Sequence, residues 1–197
     1  MKFKLYFFIL LLFPIISWGN ENLNKSKTFI ESLGREVLTK IADKKINDKD
    51  REKNFRKLYG RAFDNTYISR FVLGRHWKKI DKKTRNEFVK SFNDYLIMIY
   101  APKFKGWSGK FETIDSQVEN NMYVVSMRLI TNSIPPSSLL LDWRMNVTKE
   151  KKFKILDVNI DGVSMLVTQR AEFSSVIKNN PLGVRGLIEQ MKKKINS

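Results

Sequence analysis

The 197-residue chain has no cysteine and a single histidine. Without cysteine there is no disulfide, no thiolate zinc site, no iron–sulfur cluster and no cysteine nucleophile. His76 cannot alone serve a site that needs two imidazoles, and it is the only histidine open to a serine triad. No glycine-rich phosphate loop occurs, and no serine sits in a nucleophile elbow. Acidic residues are few: 20 Asp and Glu face 37 Lys and Arg, for a net charge of +17. Past residue 16, no apolar run approaches the roughly 17–25 residues of a membrane-spanning helix. What remains is apolar. Hydrophobic residues make up 42% of the chain and aromatic residues 12%, enough to bury a core and to disfavour disorder despite the charge.

The positive charge comes from 26 Lys and 11 Arg, in a chain also rich in Asn and Ile, a pattern that A+T-rich codons produce on any surface. A solvated basic surface, nucleic acid and an anionic membrane all fit such a charge, which bears on association rather than fold. The N-terminus narrows the choice. Met1-Lys2-Phe3-Lys4 is a basic start, Leu5 to Ile16 is apolar throughout, and Ser17-Trp18-Gly19 puts small residues at −3 and −1 before Asn20. This is the layout of a secretory signal peptide over 1–19, followed by one domain over 20–197. No cysteine follows the cleavage point, so no lipid is attached there. Loss of Lys2 and Lys4 leaves +15 on an exported chain, for which nucleic acid is not an expected partner. In an oxidising compartment a chain without disulfides depends on its core alone, which its size allows.

Residues 26–42 carry Ile30, Leu33, Val37, Leu38 and Ile41 on one helical stripe. Asp43 to Lys53 is charge-rich and reads as a solvated turn, with Asp50 as the N-cap of a short helix that turns Phe55, Leu58 and Tyr59 inward. Asp64 caps a helix bearing Tyr67, Ile68, Phe71 and Val72, ended by Gly74. Asp81 opens the strongest helix, with Phe88, Phe92, Tyr95, Leu96 and Ile99 on one face and Pro102 as its stop. From Phe111 the period becomes two. Strands are expected over 111–118, 122–131, 138–148 and 153–160, with Asn120-Asn121 as a tight turn, a loop at 133–137 and a charged turn at 149–152. Asp161-Gly162 closes the last strand. Two helices follow, bearing Leu166, Phe173, Val176 and Ile177, then Leu187, Ile188, Met191 and Ile195. The expected fold is α+β: a curved four-stranded antiparallel sheet covered on one face by helices.

Catalysis finds little support. Asp157 and Asp161 lie about 13 Å apart along a strand, and Asp161 before Gly162 suits a turn. His76 lies between Arg75 and Trp77, where neighbouring cations lower its pKa. An enzyme reading would use His76 or Asp157 as base in a cone-like cavity. The inward set of Phe71, Val72, Phe88, Phe92, Tyr95, Leu96, Ile99, Val125, Met127, Leu139, Leu141, Trp143 and Met145 either packs into a solid core or lines an apolar cavity between the layers.

The segments Phe63-Asp64 and Tyr67-Ile68-Ser69-Arg70-Phe71-Val72-Leu73-Gly74-Arg75-His76-Trp77, then Asp157-Val158-Asn159-Ile160-Asp161-Gly162-Val163-Ser164-Met165, Gln169-Arg170 and Phe173, resemble the MlaC family. Its members are also known as toluene-tolerance or ABC-transporter auxiliary proteins. Phe153-Lys154-Ile155 departs from the Trp-Lys-Val common in that family but keeps an aromatic residue. The resemblance implies a periplasmic carrier with no enzymatic activity and no cofactor. It would hold glycerophospholipid acyl chains in the cavity and pass lipid between an outer-membrane lipoprotein complex and an inner-membrane ABC-transporter complex. Cations at the mouth would suit the headgroup, and Arg70, Arg75 and Lys78 are the candidates.

Overall fold

The computed structural model describes residues 18–132, 135 and 137–196. The leader expected over 1–19 lies outside them up to Ser17, as do Ser133, Ile134 and Pro136 of the expected loop. Among the described residues six helices flank one sheet: α1 (Trp18–Lys40), α2 (Asp48–Ala62), α3 (Asn65–Leu73), α4 (Lys82–Tyr100), α5 (Met165–Asn179) and α6 (Val184–Ile195). Short 3-10 turns follow α3 and α4, at Gly74–Lys79 and Pro102–Phe104. The sheet is antiparallel, with strands in chain order: β1 (Gly109–Glu119), β2 (Met122–Thr131), β3 (Ser138–Val147), β4 (Phe153–Ile160) and β5 (Val163–Ser164).

The fifth strand corrects the expected four. Asp161 and Gly162, at φ of +50° and +82°, reverse the chain in two residues. Val163 then pairs with Ile160, and Ser164 with Asn159. A two-residue strand has no alternation to read, so only its turn is visible in the sequence. Asn120 and Asn121 make the equivalent reversal between β1 and β2, at φ of +49° and +62°.

Helix starts follow their caps. Asp64 accepts the backbone N–H of Tyr67 at 2.9 Å, and Asp81 that of Thr84 at 2.7 Å. At α2 the expectation needs correction. The cap is Asn47, whose side chain accepts the N–H of Asp50 at 2.8 Å and donates to the Asp50 carboxylate at 2.8 Å. This reciprocal pair starts the helix earlier than an Asp50 cap would. The stretch 43–53, expected to be a solvated turn, is not wholly solvated either. Arg51 is 1% exposed. Its guanidinium donates to the carbonyls of Ile41, Asp43 and Ile46, tying the α1–α2 connection to α2.

The face of the sheet toward the helices carries Tyr123, Val125, Met127 and Leu129 of β2, opposite Met145, Trp143, Leu141 and Leu139 of β3. On β4 a bulge shifts the register. Ile155 faces Met145, but Val158 faces Trp143 and Ile160 faces Leu141. The extra residue moves the inward set from odd to even positions, so Phe153 and Ile155 share a face with Val158 and Ile160. A second bulge lies between Thr113 and Asp115 of β1.

Buried side chains form two clusters. One joins α1 and α2 to the sheet through Ile30, Leu33, Val37, Phe55, Val125, Met145 and Ile155. The other joins α3, α4, α5 and α6 through Val72, Phe88, Phe92, Phe173 and Leu187. Phe173 meets Phe92 and Phe88 edge-on, with ring centroids 5.1 and 6.0 Å away. Phe63 and Leu96 touch both clusters. No described helix is long and apolar enough to cross a membrane.

Candidate functional site: an apolar pocket between helices and sheet

Where the two clusters meet, a pocket of about 490 Å³ remains. Helix α1 contributes Ile30, Leu33, Gly34 and Val37, a stripe at i, i+3, i+4 and i+7. Helix α4 contributes Phe92, Leu96 and Tyr100, and α2 adds Phe55, Leu58 and Tyr59. The sheet supplies Phe111, Met127, Leu129, Leu139, Leu141, Trp143, Leu156, Val158 and Ile160. Gly34 lets α1 come close to β1, because a Cβ there would stand 3.1 Å from the Phe111 ring.

The pocket opens at one end. Of its lining residues only Tyr100, Lys103 and Leu139 are exposed. Pairing of Phe111 with Leu129, and of Leu129 with Leu139, puts the sheet side of this opening in one row across three strands. Gln169 of α5 also lines the pocket and donates to Glu172 at 3.0 Å. Burial raises the Tyr100 phenol above its ordinary pKa, with Glu172 and Tyr95 adding to it.

Polar groups inside are few. The Tyr59 hydroxyl and the Trp143 indole N–H are buried with no hydrogen-bond partner among the described residues. Burial, and secondarily Tyr100, pushes the Tyr59 phenol far above its ordinary value. Such unpartnered donors cost about 1–3 kcal/mol each. Asp157 also lines the pocket, but its carboxylate is engaged. It accepts from Ser164 Oγ at 2.6 Å, from the Val158 N–H at 2.8 Å and from the Leu166 N–H at 3.0 Å. Ser164 in turn caps α5 through the Val167 N–H at 3.0 Å, and Asp161 accepts from the Leu140 N–H at 2.8 Å. The Asp-Val-Asn-Ile-Asp-Gly-Val-Ser stretch is therefore a turn-and-cap device that joins β4, β5 and α5. His76 lies in the 3-10 turn after α3, away from the pocket lining. Its pKa is lowered, by burial first and then by Arg75 and Lys79.

Of the residues expected to line a cavity, Phe92, Leu96, Met127, Leu139, Leu141 and Trp143 do face the pocket. Phe71, Val72 and Phe88 pack in or against the helical cluster, as does Tyr95. Val125 and Met145 belong to the sheet cluster, and Ile99 is half-buried outside the lining. Arg70, Arg75 and Lys78 are exposed, and none of them lines the pocket. Sequence reasoning missed the α1 and α2 walls. Their stripes are legible, but periodicity does not tell an inward residue that meets a partner from one that meets a void. No group of three or more metal-ligating side chains gathers among the described residues.

The MlaC protein family matches the chain over residues 31–193. The intermembrane phospholipid transport system binding protein MlaC of Haemophilus influenzae is 28% identical over 129 residues, which is 64% of this chain and 59% of that protein. The chain thus spans about three fifths of that relative's length. Among solved structures, the phospholipid-binding protein of Ralstonia solanacearum, determined in complex with a phospholipid, superposes with a TM-score of 0.70. That superposition covers 86% of this chain and 96% of the other at 18% identity, and it is a likeness of fold. With most of its length matched by the family pattern, the chain belongs to the MlaC family.

Proposed function

We propose that this protein is a periplasmic carrier that holds the acyl chains of a glycerophospholipid in the pocket and shuttles the lipid between outer- and inner-membrane complexes. The observation that carries the reading is the pocket, whose walls are almost wholly aliphatic and aromatic. Its volume of about 490 Å³ lies within the range of pockets that bind small molecules. Each methylene hidden from water stabilises the bound state by roughly 0.8 kcal/mol, so an acyl chain of about fifteen gains on the order of 12 kcal/mol. Lipid cannot cross an aqueous space without such cover. Met127, Met165 and leucines in the lining can re-pack around chains of differing length, as a carrier that must also release its cargo requires. Family membership and the roles of the two relatives point the same way. The leader-like N-terminus supports export to the periplasm.

A transfer assay tests the reading. The chain should speed passage of a labelled glycerophospholipid from donor to acceptor vesicles, in proportion to its concentration. Transfer no faster than in its absence would contradict a carrier role.

A further inference from the structure

Resting on the carrier reading, a second assignment concerns the part of the lipid that the pocket does not swallow. We propose that Lys103, at the pocket mouth, binds the phosphodiester of the lipid headgroup. Among the described residues it is the only cation in the lining, and it is exposed while its neighbours in the wall are apolar. Its ammonium sits 5.2 Å from the centre of the Tyr100 ring, which holds the charge over the opening. It forms no ion pair among the described residues, whereas Lys105 two positions on is tied to Asp48 at 3.0 Å. Among the described residues the only carboxylate in the lining, Asp157, already accepts three hydrogen bonds. Glu172, near enough to raise the pKa of the Tyr100 phenol, lies outside the lining and accepts a hydrogen bond from Gln169 at 3.0 Å. Acyl chains seated between α1, α4 and the sheet leave the phosphate where the pocket meets solvent. A lysine is a compact point charge suited to a phosphate that must be both held and released.

The experiment offers the full chain phosphatidylcholine vesicles containing equal minor amounts of phosphatidylglycerol and diacylglycerol. Bound lipids are then counted by mass spectrometry. Diacylglycerol has the same tails and no phosphate. The wild type should favour phospholipid. Lys103→Glu should lower the ratio of bound phospholipid to bound diacylglycerol by about three- to tenfold, the scale of an exposed charge pair reversed in sign. Lys103→Arg should keep the ratio, as should Arg75→Glu on the exposed 3-10 turn. A Lys103→Glu chain that takes up lipid at the wild-type ratio would overturn the assignment while leaving the carrier reading intact. Uptake of neither lipid by the wild type would overturn both. Inorganic phosphate at matched ionic strength should leave the ratio unchanged; if it erased the preference, Lys103 would be a free-anion site and the lipid assignment would fall.

Discussion

At the residue scale, the polar side chains nearest the pocket work for the fold. Asp157 collects the Ser164 hydroxyl and the Leu166 N–H at the start of α5, and the N–H of its own neighbour Val158 in β4. Replacing it by alanine leaves those donors buried or half-buried without a partner, at a cost of about 2–3 kcal/mol, readable as a lower urea midpoint. Asp157→Asn keeps an acceptor and should cost less. The acid response follows from the same logic. The Asp81 carboxyl is held below its ordinary 3.8, first by the backbone N–H of Thr84 and then by its side chain. Glu87 and Asp48 are lowered chiefly by hydrogen bonds to Lys192 and Lys105. Each folded-state pKa lies below the unfolded one, so the stabilisation is complete above the ordinary carboxylate range and is lost as pH falls through the folded values. Urea midpoints should therefore be flat above about pH 5 and fall below about pH 4. The Asp81→Asn variant should show a shallower fall.

At the scale of elements, turns and caps decide where each helix and strand stops. Gly74 ends α3 at φ of +51°, and a Cβ there would stand 2.7 Å from a guanidinium nitrogen of Arg170. Gly74→Ala should destabilise the protein by about 1–2 kcal/mol, measured by thermal or urea unfolding, because alanine is strained at that φ even though the Arg170 guanidinium can swing aside. Most of this scale was legible in the sequence. Strict alternation at Leu139, Leu141, Trp143 and Met145 marks β3, and Asp64 and Asp81 mark helix starts. Two features were hidden for physical reasons. Strand β5 is too short to have a period. Arg51 carries a charge that composition assigns to solvent, yet three backbone carbonyls at the end of α1 and the following turn make a buried guanidinium affordable. The pocket lining was legible only in part. Phe88 and Phe92 share one helical stripe, but Phe88 sits wholly within the aromatic cluster with Phe173 while Phe92 also reaches the void. That difference depends on where neighbouring elements end, which no stripe records.

At the scale of the molecule, the pocket exists because two clusters are built separately and meet without filling the space between them. Leu141 is 7% exposed and lines that space from the sheet. Leu141→Trp should fill part of the pocket and lower the amount of co-purified lipid several-fold. A far-UV spectrum unchanged from wild type would show that the loss comes from volume and not from unfolding. The net charge, +15 once the expected leader is removed, suits approach to anionic lipid surfaces, an effect that salt screens. If a glycerophospholipid occupies the pocket, it will come out in an organic extract of natively purified protein, where mass spectrometry identifies and counts it. Glycerophospholipid should be present in near-stoichiometric amount in the wild type and sharply reduced in Leu141→Trp. Protein that repeatedly yields no lipid, or yields equal amounts from both chains, would contradict occupancy of the pocket.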